Sequence, residues 1–499
     1  MSSFRRHAVP LACSLALLAG CGTSVQNPVS GRTERSVLTE ADELRIGREQ
    51  HQQVLADYGR LDDARLQAYV DAIGQRLARS SQRPQLPWSF TVLDSPDINA
   101  FALPGGYIYV TRGIVAQVQD EAELAGIIGH EIGHVTARHG AQRATRQQNA
   151  GLGVFAASVL GAVLESRGAG GLGQMAAEMS QSVAAGYVAS YSREQELEAD
   201  RLGAQYLSGN GYDPRNVVEV LQMLQALERH SAEAARAAGR PAPQGDDWLA
   251  SHPSNEQRVR EAAALAQTLP VPAAAANEGR SRHLQMIDGM PWGESREQGV
   301  TRGQDFFHEP LGIGITAPAG WRIDNSPGAL SLVHPSGDAA LVMRALPASA
   351  GADHEAVLRQ LNVVSGRTER RHLNGLAATH FDGVARAANG GTQPATATVV
   401  TGPSGRLYLL GYAARDAAAL QRARAQLHEA ESSFRPLTAA DRQAARPWQL
   451  RTVAFPAGGF AELARSSPLG SGAESQLRLL NGAAAGSQPA VGQRVKIVR

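Results

Sequence analysis

The sequence is poor in cysteine and almost devoid of lysine. It holds 2 Cys in 499 residues, and Lys496 is its single lysine. Two cysteines exclude a disulfide framework and a Cys-rich metal cluster. Nearly every base is therefore an arginine. With heavy Ala and Gly use, that reads as genomic composition, not selected guanidinium chemistry. An excess of either charge is also missing. Lys and Arg total 48 against 47 acids, so no basic field advertises nucleic acid. There is no long internal repeat. What is present is 43% hydrophobic residues, enough for a sizeable core. At roughly 100–200 residues per domain, the length predicts two to four domains.

The first residues read as an address. Arg5 and Arg6 precede an apolar stretch from Ala8 to Leu18, too short to span a bilayer, which takes about 20 residues. That pattern is a secretory signal. Its end, Leu18-Ala19-Gly20-Cys21, resembles the bacterial lipoprotein signal. The resemblance implies removal of residues 1–20 and lipidation of Cys21. Gly22 is not the Asp that typically retains lipoproteins in the inner membrane, which implies the periplasmic face of the outer membrane. Processing removes two arginines and no acid, so the mature balance turns slightly negative. It also removes Cys13, so no disulfide can form.

Residues 21–37 read as a polar tether. Ala41 to Ser80 carries helical periodicity, with Leu44, Ile46, Val54, Leu66, Val70, Ile73 and Leu77 recurring at three- and four-residue steps. Trp88 to Leu93 reads as a strand. Tyr107-Ile108-Tyr109-Val110-Thr111, after Pro104-Gly105-Gly106, is aromatic and β-branched and fits a pleated surface. A well-specified helix follows, with Asp120 as cap, Glu123 completing a capping-box variant and Gly140 as its stop. Gly151 to Ala189 is Gly/Ala-rich and nearly uncharged, and reads as a buried helical hairpin or a lid. Further helices are expected over Ser192–Ser208 and Asn216–His230. Beyond the Pro/Ala run near residue 270, β-like and helical stretches mix, which predicts a separate α+β domain. The expected organisation is a multidomain chain: a mainly α-helical peptidase domain with a small β-sheet over 38–283, an α+β domain over 284–440 and a small C-terminal unit over 448–499.

Residues 130–134 read His130-Glu131-Ile132-Gly133-His134, an HExxH inside the helix just described. Positions i and i+4 share a helix face, roughly 5–6 Å apart at Cβ. Two imidazoles there can each offer one nitrogen to one Zn²⁺. Glu131 sits beside the metal, where it can take a proton from water and pass it to a leaving amine. Gly133 costs about 1 kcal/mol relative to Ala within a helix, which predicts close packing of another element there. A third ligand is needed. His139 lies five residues past His134, about 140° around a 3.6-residue helix. It reads as an exposed residue or a charge at the helix C-terminus. The alternative is an acid from Ser192-Arg193-Glu194-Gln195-Glu196-Leu197-Glu198-Ala199-Asp200. Glu196 and Asp200 share a face, and a second carboxylate could hold a ligating His. Glu194 and Glu198 read as solvent-facing. Spacing alone does not choose among these acids.

Taken together, the pieces resemble the zinc endopeptidases of the HtpX and CAAX-prenyl-protease type, a gluzincin family, and especially their periplasmic BepA-like members. The matching residues are Asn99-Ala100-Phe101-Ala102 with Pro104-Gly105-Gly106, the HEIGH, Ser192 through Asp200, and His252-Pro253. They cover roughly Leu38 to Leu265. The resemblance implies a zincin-type fold and one Zn²⁺ per chain held by His130, His134 and Glu196, with Asp200 behind them. It implies Glu131 as the catalytic base and His252 as a loop residue that approaches the metal and caps it at rest. It also implies that Tyr107–Thr111 is an edge strand to which peptide adds. The expected function is zinc-dependent hydrolysis of extended or misassembled envelope proteins. The competing expectation is a non-catalytic assembly factor acting through the C-terminal domains. The terminal unit resembles a LysM module through Leu480-Asn481-Gly482 and Val491–Lys496, but Pro456-Ala457-Gly458-Gly459 replaces its Gly-Asp-Thr. At most a weak peptidoglycan contact follows.

Overall fold

The computed structural model describes residues 23–149, 191–237, 252, 256–271, 276–326, 328–386, 391–483 and 486–499. Cys21 and the Gly151–Ala189 segment lie outside them.

The expected tether is structured from residue 23 onward. Strand β1 (Thr23–Gln26) pairs antiparallel with β2 (Thr33–Ser36). Asn27, in the turn between them, donates to the Ala137 carbonyl at 3.1 Å. The periodic stretch after it splits into α1 (Glu40–Tyr58) and α2 (Ala64–Arg79). Thr39 and Asp42 form a capping box on α1, and Asp63 caps α2. Gly59, at φ +70°, separates the two helices.

Strands β3 (Ser89–Leu93), β4 (Ala100–Leu103) and β5 (Tyr107–Thr111) form one sheet in the order β3-β5-β4. Strand β5 is parallel to β3 and antiparallel to β4. This corrects the expectation for Tyr107, Ile108, Tyr109, Val110 and Thr111. They form the central strand, hydrogen-bonded on both sides, so a peptide cannot add to them. Aromatic and β-branched composition marks a strand, but only long-range pairing decides whether it is an edge. The outer strand beside the HExxH helix is β4.

Among the described residues, seven helices follow in this body: α3 (Arg112–Gln117), α4 (Glu121–Thr136), α5 (His139–Asn149), α6 (Arg193–Gly209), α7 (Asn216–Ala237), α8 (Glu256–Ala266) and α9 (Ala276–Ile287). Leu66, Val70, Ile73 and Leu77 of α2 pack with Leu124, Ile127, Ile128 and Ile132 of α4 and Leu202 and Leu207 of α6 in one core. Among the described residues, no helix is long and apolar enough to cross a membrane.

The later domains are arranged differently from the expected series. Strand Pro291–Trp292 pairs with strand Trp448–Ala454, placing Trp292 opposite Trp448, and Arg494–Val498 pairs on the other side. Leu284, Ile287, Met290, Leu450, Phe460, Leu477, Val495 and Ile497 belong to the same core as α4. Residues 284–292 and the terminal unit thus pack into the body that holds α4 instead of standing apart from it. The terminal unit is strand, two helices (Gly459–Arg465 and Ala473–Leu480) and strand. Lys496 is fully buried there, and its Nζ donates to the carbonyls of Ala116, Gln117 and Val118 at 2.8, 3.0 and 2.9 Å. It satisfies the end of α3, just before the HExxH helix.

Between the two paired strands sits the α+β body. A seven-stranded antiparallel sheet runs from Arg322–Ser326 at one edge to Val363–Leu373 at the other. Helix Ala417–Ser432 covers one face through Ala423, Leu427 and Ala430. Helix His354–Gln360 covers part of the other through Val357 and Leu358. Glu431, fully buried, accepts from the Tyr412 hydroxyl at 2.6 Å and pairs with Arg371, Thr398 and His380.

Candidate metal centre

Two helices build the site. Helix α4 starts where expected: Asp120 accepts from the backbone N–H groups of Ala122 and Glu123, both at 2.9 Å. Glu123 accepts from Gln119 N–H at 2.7 Å, one residue before the position a capping box would use. The helix ends earlier than Gly140. Ala137 is its C-cap, Arg138 takes a left-handed φ of +59°, and Gly140 lies inside α5. Arg138 is held in that conformation by Glu43 at 3.2 Å and the Leu38 carbonyl at 2.9 Å.

Helix α6 crosses α4 at close range, as Gly133 predicted. A Cβ on Gly133 would lie 3.2 Å from the Cα and O of Ala199, and one on Gly203 would lie 3.2 Å from the His130 nitrogen. Small residues on both helices let the backbones approach, and this carries the side chains of α6 to the imidazoles of α4. Ser192 caps α6 with Gln195 in a capping box.

The result is a buried cluster. His130, His134, Glu196 and His252 each place one donor atom within 4.8 Å of the others. His130 Nε2 is 3.0 Å from His134 Nε2 and 3.2 Å from His252 Nδ1. Glu196 Oε1 is 3.4 Å from His134 Nε2 and 3.0 Å from His252 Nδ1, and its Oε2 is 3.6 Å from His130 Nε2. Four donors at about 2.0–2.1 Å around a tetrahedral metal would be about 3.3 Å apart. The observed separations fit that donor set. Imidazole nitrogens that face each other this closely offer lone pairs to a shared point, which suits a cation. Glu131 lies alongside, its Oε1 3.5 Å from His252 Nε2 and without a hydrogen-bond partner among the described residues.

Asp200 stands where expected. Its Oδ1 is 2.9 Å from His130 Nδ1, which turns His130 Nε2 toward the cluster. Three residues were not anticipated. Arg258 of α8 grips Asp200 with both arms, Nε to Oδ2 at 2.7 Å and a terminal nitrogen to Oδ1 at 2.8 Å. Its other terminal nitrogen is 2.8 Å from Glu196 Oε2 and 3.1 Å from the His252 carbonyl. Tyr191 stacks on the His134 ring, centroids 3.9 Å apart and planes 20° from parallel. Finally His139 is fully buried, not exposed, and touches both His134 and Glu198. Tyr191 and Arg258 flank the motifs that the sequence displays, but no spacing rule marks them. Arg193, beside Ser192, is exposed on the first turn of α6.

Burial sets the electrostatics. It pushes the Glu131 carboxyl upward and the His134 imidazole well below its usual range. Burial would also raise Glu196, but the His252 charge and the close imidazoles of His134 and His252 hold it well below the usual carboxylate range. For Asp200 the raising effect of burial is overcome by the Arg258 guanidinium. For His130 burial acts downward, and the hydrogen bond and charge of Asp200 outweigh it upward.

Comparison with known proteins agrees with this geometry. Residues 64–266 match the family described as peptidase family M48. The putative beta-barrel assembly-enhancing protease of Vibrio cholerae is 30% identical over 249 residues, 49% of this chain and 48% of that protein. The beta-barrel assembly-enhancing protease of Escherichia coli K12 is 28% identical over 235 residues, 47% of this chain and 46% of its own length. The mitochondrial metalloendopeptidase OMA1 of Schizosaccharomyces pombe is 28% identical over 258 residues, 49% of this chain and 69% of its own. The chain spans about half the length of the bacterial relatives it matches.

Proposed function

From a chain whose residues 64–266 match the model of peptidase family M48, we propose a zinc-dependent endopeptidase that cleaves extended or misassembled polypeptide. The observation that carries the proposal is the buried convergence of His130, His134, Glu196 and His252 beside Glu131. His130, His134 and Glu196 would hold one Zn²⁺. When bound, that ion would polarise a peptide carbonyl and make water acidic enough to lose a proton near neutral pH. Glu131 takes that proton on its Oε1 and delivers it to the nitrogen of the departing amine. Its burial favours the protonated carboxyl and so suits both halves of the transfer. Asp200, clamped by Arg258, orients His130. His252 occupies the remaining side of the cluster and must withdraw before water and substrate enter, a resting cap instead of a permanent ligand.

Substrate would lie along β4. Among the described residues no strand pairs with its outer side. Thr111 N–H donates to the Asn99 carbonyl at 3.0 Å. The antiparallel alternation then turns the backbone groups of Ala100 and Ala102 outward. Pairing through main chain selects extended segments over folded domains. The bacterial relatives are named for enhancing beta-barrel assembly, which favours a role in envelope-protein quality control, and the sequence signal ending at Cys21 favours a lipid anchor there.

The test is Glu131→Gln, purified from a host lacking other envelope proteases. It should retain zinc and lose cleavage of unfolded casein. Retained cleavage would rule out the mechanism. Full rescue of a deletion strain by the same variant would instead favour the assembly-factor alternative.

A further inference from the structure

The two imidazoles of α4 are oriented by different devices. His130 is turned by a carboxylate in direct contact, Asp200. Among the described residues, no carboxylate touches the Nδ1 of His134. Its neighbour is another imidazole: His134 Nδ1 lies 2.9 Å from His139 Nδ1, and His139 Nε2 lies 3.1 Å from Glu198 Oε2. His139 is fully buried, whereas the Glu198 side chain is 29% exposed.

The proton positions follow from the geometry. His134 Nε2 faces the cluster, 3.0 Å from His130 Nε2, and must offer a lone pair there. Its ring proton is then on Nδ1. Two nitrogens at 2.9 Å share one proton, so His139 Nδ1 accepts. That leaves the His139 proton on Nε2, where it donates to Glu198. The sequence of contacts is carboxylate, imidazole, imidazole, cluster. Tyr191 closes the face of the His134 ring, leaving it little room to rotate.

The chain path explains how His139 reaches this place. On an unbroken helix it would point about 140° away from His134. The left-handed turn at Arg138 interrupts the helix and folds α5 back, bringing the ring beneath His134. Helix α6 then serves the whole centre. Glu196 enters the cluster, Asp200 holds one His directly, and Glu198 holds the other through His139.

We propose that His139 and Glu198 are positioning residues that fix the ring orientation and tautomer of His134, and so set the affinity of the centre for Zn²⁺. This rests on the metal-centre reading above. Partners of ligating His residues are commonly worth 10–100-fold in metal affinity.

The experiment is a zinc titration of the full chain, stripped of metal, in competition with a chromophoric chelator. His139→Phe preserves the ring volume and removes the acceptor. It should weaken zinc binding by about 10–100-fold while the metal-free protein melts near the wild-type temperature. His139→Gln places an amide oxygen where it can accept from His134 Nδ1–H and should recover most of the loss. Glu198→Ala, at a half-exposed position, should fold in any case and weaken binding by a smaller factor. Equal zinc affinity in His139→Phe and wild type would overturn the inference. So would a His139→Gln variant as weak as His139→Phe, since that would mark a packing role. If His139→Phe does not fold, an unchanged affinity in Glu198→Ala would overturn it. Wild type that binds no zinc, or His134→Ala that binds it as tightly as wild type, would instead refute the metal-centre reading itself.

Discussion

Removing the guanidinium of Arg258 should destabilise the peptidase body more than any other single change behind the cluster. Arg258 is almost wholly buried, as are Asp200 and Glu196. Arg258→Met keeps the stem volume but leaves both carboxylates without their cation. Breaking a buried ion pair from one side costs about 3–5 kcal/mol, against a total stability of about 5–15 kcal/mol for a domain. The metal-free variant should therefore lose about a fifth of its stability or more. Arg258→Lys keeps the charge but not the two-armed grip on Asp200, and should fall between wild type and Arg258→Met. Saturating zinc should narrow the gap, because a divalent cation beside Glu196 replaces part of the missing charge. Urea denaturation of the three proteins, with and without zinc, measures each term. An Arg258→Met variant within about 1 kcal/mol of wild type in the metal-free state would refute the reasoning; that is the scale of an exposed pair.

Two further outcomes follow from contacts described above. His252→Ala should raise the peptidase rate on short unfolded peptides several-fold, because the side chain that fills the fourth side of the cluster is gone; equal rates across substrates would remove the capping role. In the α+β body, burial would raise the Glu431 carboxyl, yet hydrogen bonds from His380, Thr398 and Tyr412 and the Arg371 charge hold it down at about 2. A depressed carboxylate stabilises above its unfolded pKa near 4.5 and loses that contribution as pH falls toward 2. Glu431→Gln should therefore cost roughly 3 kcal/mol at pH 7, and its melting temperature should converge with that of wild type between about pH 4.5 and 2. A gap that stays constant with pH would contradict the assignment.

What was legible in the sequence was local. The caps Asp120 and Ser192, the i,i+4 pair His130 and His134, and the close approach at Gly133 all follow from one helix turn or one side chain. The pairing of Glu196 with Asp200 needed only the helical period. What was not legible depended on contacts distant in sequence. Tyr107–Thr111 has the composition of a strand, but its central place is set by β3 and β4 together. An unbroken helix would carry His139 away from His134, and the turn at Arg138 that prevents this depends on Glu43 and Leu38, about a hundred residues away. Arg258 belongs to a separate helix with an ordinary amphipathic pattern. The sole lysine looked like a compositional remnant, yet it closes the end of α3. A single residue type count carried no hint of that position.

The pairing of Trp292 with Trp448 has an evolutionary and practical corollary. The seven-stranded body leaves and re-enters the catalytic body through adjacent strands, so its two ends are already neighbours in space. Such a body resembles a cassette. It can be exchanged, shortened or lost by joining the flanking strands with a turn, while the hydrophobic surroundings of α4 stay whole. The strand Arg494–Val498, by contrast, is not exchangeable in this way, because it carries Lys496 into the core. Cutting the chain before Arg494 would leave the carbonyls of Ala116, Gln117 and Val118 without that donor, so a contact more than 370 residues away in sequence helps to set where the helix bearing His130 begins.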